Sequence, residues 1–167
     1  MFASTISRRS WPIAAALGMM MSFGLAGSLG SAEARSPAKP ADLNPAAITI
    51  TPPDQIKWTG RPGVSENAVL LGDPSKPGLY IQLVKWYPHN MSHPHFHPND
   101  RYVYVLSGTW WVGTGPKYDP DSTVAVHAGS YVVHTAKQIH YDGAKDEIAV
   151  LEIVGEGPAT ATPAEEK

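Results

Sequence analysis

His93-Pro-His-Phe-His-Pro-Asn-Asp-Arg-Tyr-Val-Tyr-Val-Leu-Ser-Gly108 is the stretch on which the fold turns. Its first part alternates histidine with other residues. Its second part alternates β-formers and stops at a Ser-Gly turn signal. Along an extended strand, side chains two apart share a face. His95 and His97 therefore aim two imidazoles at one point, with His93 in line as a third. Two imidazoles on one side suit Zn, Fe, Mn, Ni or Cu. Pro94 and Pro98 restrict the backbone and keep this segment out of a central ladder. Beyond it, Arg101, Val103 and Val105 share one side of a strand, and Tyr102 and Tyr104 face the other way.

Outward from this stretch the chain is strand-like. Leu79–Tyr87, Thr109–Val112, Thr123–His127, Tyr131–His134 and Ile148–Val154 are rich in β-formers. Gly72-Asp73-Pro74, Pro88-His89-Asn90, Tyr118-Asp119-Pro120 and Ala128-Gly129 break them apart. Many short strands at regular spacing, without an amphipathic helix, predict an all-β sandwich or barrel. The expected barrel spans 68–154. Residues 35–67, with Pro37, Pro40, Pro45, Pro52 and Pro53, read as an arm. Residues 155–167, made mostly of Gly, Pro, Ala, Thr and Glu, read as a frayed tail.

The counts narrow the chemistry. The chain has 167 residues, 13 Lys+Arg against 15 Asp+Glu, and no Cys. That length fits one domain with tails. The balance of charge argues against a nucleic-acid binder, which needs a basic surplus. Without Cys there is no disulfide scaffold, thiol nucleophile or Cys-ligated metal. Metal chemistry here would rest on imidazoles and carboxylates. All 7 histidines lie between His89 and His140. There is no phosphate-cradling Gly-rich loop and no Gly-x-Ser-x-Gly elbow.

At this point the sequence resembles the cupins. Their first motif runs as His-x-His, three or four residues, Glu, six residues, Gly. His95-Phe96-His97, Arg101 and Gly108 occupy that frame, with arginine at the Glu position. Their second motif runs as Gly, five residues, Pro-x-Gly, two residues, His. Gly129 and His140 stand at its ends, with Thr135 and Lys137 where Pro and Gly belong, and Ala144 where the motif can end in Asn. The resemblance covers roughly 78–154. It implies a jelly-roll β-barrel with His95, His97 and His140 around an internal divalent metal (Fe, Mn, Zn or Ni). It also implies a small-molecule oxygenase or isomerase, or a non-catalytic binding or sensing cupin whose metal site has decayed.

Arginine at the Glu position is the largest departure, because it places positive charge near the cation. Arg101 fits three roles: a clamp for a substrate carboxylate, as in three-histidine thiol dioxygenases of the same superfamily; an anion binder in a site without metal; or a rim salt bridge to Asp100, Asp142 or Asp146. His134 is a candidate fourth ligand. Asp100 becomes another if a bulge turns it inward. His89 and His127 are expected to be bystanders, and so, in the end, is His93. Asp142-Gly143 reads as a turn after the last ligand. Of Trp110 and Trp111, one should face the barrel and one should face out. Exposed aromatic strands suggest a possible homodimer.

The N-terminus has its own logic. Arg8 and Arg9 precede an apolar stretch, Ile13–Leu29, and Ala32-Glu33-Ala34 offers small residues where a signal peptidase cuts. Residues 1–34 are thus expected to be an export signal, cut near Ala34. The alternative is an uncleaved anchor. Ser7-Arg8-Arg9-Ser10-Trp11 resembles a degenerate twin-arginine signal. The processed chain would be extracytoplasmic, with no later run able to span a bilayer.

Overall fold

Every second residue of Arg101–Ser107 is dry on one side: Arg101, Val103 and Val105 are buried, while Tyr102, Tyr104 and Leu106 are exposed. That alternation builds the whole molecule. The computed structural model describes Leu43–Glu166; the expected export signal and the start of the arm lie outside the described residues. In chain order the strands are β1 (Thr59–Arg61), β2 (Ser65–Leu71), β3 (Gly78–Trp86), β4 (Asn90–Met91), β5 (His95–Phe96) and β6 (Arg101–Ser107). Then follow β7 (Thr109–Thr114), β8 (Val124–His127), β9 (Tyr131–His134), β10 (His140–Ala144), β11 (Ala149–Gly157) and β12 (Thr162–Pro163). No α-helix occurs among the described residues.

The strands form two antiparallel sheets. One runs β1-β2-β3-β11-β6-β9; the other runs β12-β5-β10-β7-β8, with β4 also pairing β10. Their inner faces meet in a core of Tyr80, Val84, Val103, Val105, Trp110, Leu151 and Ile153. Each large apolar side chain buried there contributes about 1.5–3 kcal/mol of transfer free energy. This is the expected all-β jelly-roll barrel. Trp110 is fully buried and Trp111 half-buried under the Lys145 ammonium, 4.0 Å from its ring. Gly108 turns β6 into β7 at φ 73°, and a Cβ there would collide with the Ile148 carbonyl.

The barrel is longer than 68–154 at both ends. β1 and β2 form a hairpin across Pro62-Gly63-Val64, so sheet structure begins inside the expected arm. β1 is a short, exposed edge strand, which needs no apolar alternation, and it pairs with β2, which lies between β1 and β3 and buries Ala68. Trp58 is held there by the Lys85 ammonium, 3.9 Å above its ring. At the other end, β11 continues to Gly157 and β12 pairs with β5. The expected frayed tail is therefore a strap laid across the barrel, fixed by backbone bonds that composition does not reveal.

Candidate metal centre

β5 pairs with β10 so that His95 faces His140. His97 lies two residues beyond His95, on the same side. The three ligand-capable nitrogens lie within 4.8 Å of one another. The ring centroids are 4.6 Å apart for His95 and His140, 4.9 Å for His95 and His97, and 5.4 Å for His97 and His140. His97 and His140 are buried and His95 is half-buried. These three side chains are able to hold a metal ion.

Their hydrogen bonds fix which nitrogen is free. His95 Nδ1 is 2.8 Å from the His93 carbonyl, His97 Nδ1 is 2.9 Å from the Thr160 carbonyl, and His140 Nδ1 is 3.1 Å from the Gln138 carbonyl. A carbonyl only accepts, so in all three rings Nδ1 carries the proton and donates it. Each Nε2 is left with a bare lone pair. His95 Nε2 and His97 Nε2 point at each other across 3.1 Å, and the buried His140 Nε2 has no partner among the described residues. Two acceptors at that distance repel unless a cation joins them. Backbone carbonyls that orient the far nitrogen are the usual outer support of a histidine-bound metal. The donor set therefore fits a divalent transition metal. Burial, the Arg101 charge and His95 push His97 down to about 3, and burial lowers His140 as well, so both are neutral at pH 7.

This barrel is shared with known structures. The polyketide cyclase RemF from Streptomyces resistomycificus superposes with TM-score 0.59 at 16% identity, covering 72% of this chain and 87% of that one. A double-stranded β-helix protein from Klebsiella pneumoniae gives 0.54 at 19%, covering 71% and 99%. A cupin-2 domain protein from Rhodospirillum rubrum gives 0.54 at 14%, covering 72% and 80%. The protein has the cupin fold. No family model matches the sequence, and no curated protein matches it.

Lys137, at the position of the second motif's Gly, adopts φ 63°. Its N–H donates to the His97 carbonyl at 2.7 Å, and Gln138 N–H closes the turn on the Thr135 carbonyl at 3.2 Å. This turn presents His140, with a lysine in the left-handed region.

Arg101 points into this cupin barrel and is only 9% exposed. It is not a rim salt bridge: among the described residues it has no carboxylate within ion-pair distance. Asp100 faces outward and accepts the Ala136 N–H at 2.6 Å. Arg101 Nη2 donates to His134 Nδ1 at 2.9 Å, and Arg101 Nε has no partner among the described residues. His134 therefore carries its proton on Nε2, the reverse of the three converging rings. His134 is thus not a fourth ligand. It packs against His140 with the rings tilted by 41° and centroids 3.9 Å apart, and burial pushes it down to about 3.

Asp142 was expected in a solvated turn, but β10 is buried along its whole length and Asp142 is 6% exposed. It stands two residues beyond His140, opposite Val112, on the inner face. Trp86 and Trp110 indole N–H groups donate to Oδ2 at 3.1 and 2.9 Å, and the Ser92 hydroxyl donates to Oδ1 at 3.1 Å. Burial alone would raise its pKa. The neighbouring His134 imidazole, the Arg101 charge, the His140 imidazole and the Trp110 bond outweigh that and hold it below the usual carboxylate range. The i, i+2 step from His140 was the available signal; the Asp-Gly pair masked it.

The remaining histidines lie elsewhere. His93 is exposed, stacks on Tyr118 with centroids 4.5 Å apart, and meets Glu165 Oε2 at 2.8 Å. His127 is exposed near Thr109, and His89 occupies a loop at φ 62°. A cavity of about 370 Å³ opens beside the triad, lined by His95, Arg101, Asp142 and Trp86 and walled by Ala161 and Pro163 of the strap.

Proposed function

We propose that this protein is an exported cupin that holds one divalent transition metal on His95, His97 and His140 and takes up a small anionic molecule beside it. The observation that carries this proposal is the shared protonation of the three rings. Each spends its Nδ1 proton on a backbone carbonyl and keeps its Nε2 lone pair for a common point. A metal bound there supplies Lewis acidity or redox chemistry at coordination positions that three ligands leave open. Arg101 supplies the positive end that draws a carboxylate into the cavity, and Asp142 anchors the two indoles around it. The reaction class this supports is oxidation or isomerisation of a small organic acid.

The deciding experiment is metal analysis of protein purified from the exported fraction. About one equivalent of Fe, Mn, Zn or Ni is expected. Less than about 0.2 equivalents, with none regained on dialysis against these metals, defeats the proposal. Stoichiometry is the measure, because one site of three ligands takes one ion.

A second reading is a binding or sensing cupin without turnover. The observation in its favour is the buried Arg101 guanidinium at the position where a carboxylate would strengthen the metal. Oxygen uptake or product formation with a panel of small organic acids separates the two. Export rests on the signal-like N-terminus; N-terminal sequencing of the mature protein should begin near Arg35. A homodimer through the outer face of Tyr102, Tyr104, Tyr131 and Val133, all exposed, is read by light scattering.

A further inference from the structure

We infer that the cavity beside the triad binds a small hydroxylated carboxylate, with its anionic group on Arg101 and its hydroxyls on the side-chain amides of Asn67 and Gln82. This deepens the metal proposal and rests on it for the position of the reacting atom. The inference starts from which polar groups around the cavity are already spent. Asp142 has both oxygens occupied, and Ser92 and the Trp86 indole are two of its donors. His93 is taken by Glu165. These groups shape the wall and have little left for a ligand.

Four groups are left. Arg101 Nε is buried without a partner. The lone pair of His95 Nε2 faces the metal position. The side-chain amides of Asn67 and Gln82 line the cavity and make no hydrogen bond among the described residues. They are diagonal neighbours on the inner face of β2 and β3, since Asn67 pairs with Val84 and Val69 pairs with Gln82. Both amides open onto the cavity with no protein partner to give up, so a ligand can take their hydrogen bonds directly.

The chemistry of the four groups selects the ligand. A guanidinium short of acceptors takes a carboxylate. A primary amide both donates and accepts, which matches a hydroxyl group for group. Two such amides on one wall ask for hydroxyls on more than one carbon. The Trp86 ring, held by its bond to Asp142, offers an apolar face for the carbon chain between them. At about 370 Å³ the cavity lies at the small end of ligand pockets, which suits a single short acid rather than a polymer. Asp142 opposes an anion by its charge, but Arg101 and the divalent ion together outweigh it.

The test is calorimetric titration of the mature protein, metal-loaded and metal-free, with glycerate, gluconate, propionate and glycerol. Glycerate or gluconate should bind about tenfold or more tighter than propionate, the ratio that one well-made hydrogen bond supplies, and glycerol should bind below detection. Asn67→Leu and Gln82→Leu should erase the preference of the hydroxylated acids over propionate. Arg101→Gln should remove binding of all three acids. Gln82→Glu, close in shape, guards against misfolding; it should weaken every acid by charge repulsion. Equal binding of propionate and the hydroxylated acids overturns the inference, as does glycerol binding as tightly as glycerate. A preference that survives both amide variants also overturns it. Metal content on the same samples keeps the two proposals apart. Protein that takes up no metal on dialysis yet keeps the preference defeats the metal centre alone, and metal-loaded protein without the preference defeats this inference alone.

Discussion

His97 Nδ1 donates to the carbonyl of Thr160, 2.9 Å away and 63 residues along the chain. The expected tail thus sets the protonation of a metal-capable histidine. The same strap pairs β12 with β5, ties Ala164 N–H to the Pro94 carbonyl at 2.9 Å, and anchors Glu166 N–H on Pro116 at 3.0 Å. Only Ala159 of this segment packs on the core.

Deleting residues 159–167 should therefore spare the barrel and damage the site. Far-UV circular dichroism should keep its β signature. Metal affinity, measured by competition with a chelator, should fall about 10–100-fold, as for loss of an outer-shell partner. Affinity equal to that of the full chain would show that His97 is oriented by something else.

Asp142 carries the heaviest structural duty per atom. Asp142→Asn keeps the shape, removes the buried anion, and turns the two indole bonds shared by Oδ2 and the Ser92 bond on Oδ1 from charge-assisted into neutral ones at best. Each hydrogen bond to a charged group is worth about 1.5–3 kcal/mol, and three are weakened together, a loss of about 3 kcal/mol or more. Urea unfolding should show that loss, and Trp86→Phe should cost less, near 1–3 kcal/mol, because the carboxylate keeps its other donors. A drop under 1 kcal/mol for Asp142→Asn would mean that the carboxylate is dispensable.

The two-residue period makes the all-β class and the His95–His97 pair legible in the sequence alone. His95, His97 and Arg101 fall on the inner face as alternation requires, whereas His140 is singled out from His127 and His134 only by the resemblance to the second cupin motif. Other parts leave no such trace. The Asp142-Gly143 pair looks like a turn, although His140 plus two puts Asp142 inside. β1 and the strap are short, exposed segments held by backbone bonds, and backbone bonds carry no side-chain period. Asn67 and Gln82 are site residues only because β2 and β3 bring them together, a register no local pattern encodes.

Arg101→Glu should convert the site toward a four-ligand centre. Two unit charges 5 Å apart at an effective dielectric of 20 interact by about 3 kcal/mol, so reversing the sign beside a divalent ion is worth several. Metal affinity should rise at least about a hundredfold, while binding of small carboxylates should vanish. Chelator competition and calorimetry read the two effects separately. Unchanged metal affinity would place the new carboxylate out of reach of the triad.

Lys137 stands at φ 63° and is exposed, so its side chain gains nothing that offsets the strain. The left-handed region costs an L-residue about 1–2 kcal/mol, and glycine avoids this while losing about 0.5–1 kcal/mol in backbone freedom. Lys137→Gly should therefore stabilise the protein by roughly 0.5–1 kcal/mol, a rise of a few degrees in Tm. The bond from residue 137 N–H to the His97 carbonyl should survive. A fall in Tm would show that the lysine side chain contributes to the turn.

Acid sensitivity follows from the buried histidines. His97 and His134 ordinarily titrate at 6.5, and burial is the main cause holding both near 3 in the folded chain. Between these values the unfolded chain binds protons that the folded one refuses. Stability is thus fully present above about pH 6.5 and is lost as pH falls toward 3, by up to roughly 1.4 kcal/mol per pH unit for each histidine. Urea midpoints of metal-free protein at pH 7, 6 and 5 should descend steadily. Saturating metal should raise the midpoint at pH 7, by about 2.7 kcal/mol at a hundredfold excess over Kd, and its benefit should shrink in acid because protons compete for the same lone pairs. A flat midpoint from pH 7 to 5 would mean that these rings already accept protons in the folded state, and that the neutral, lone-pair-bearing triad is not the resting form of the site.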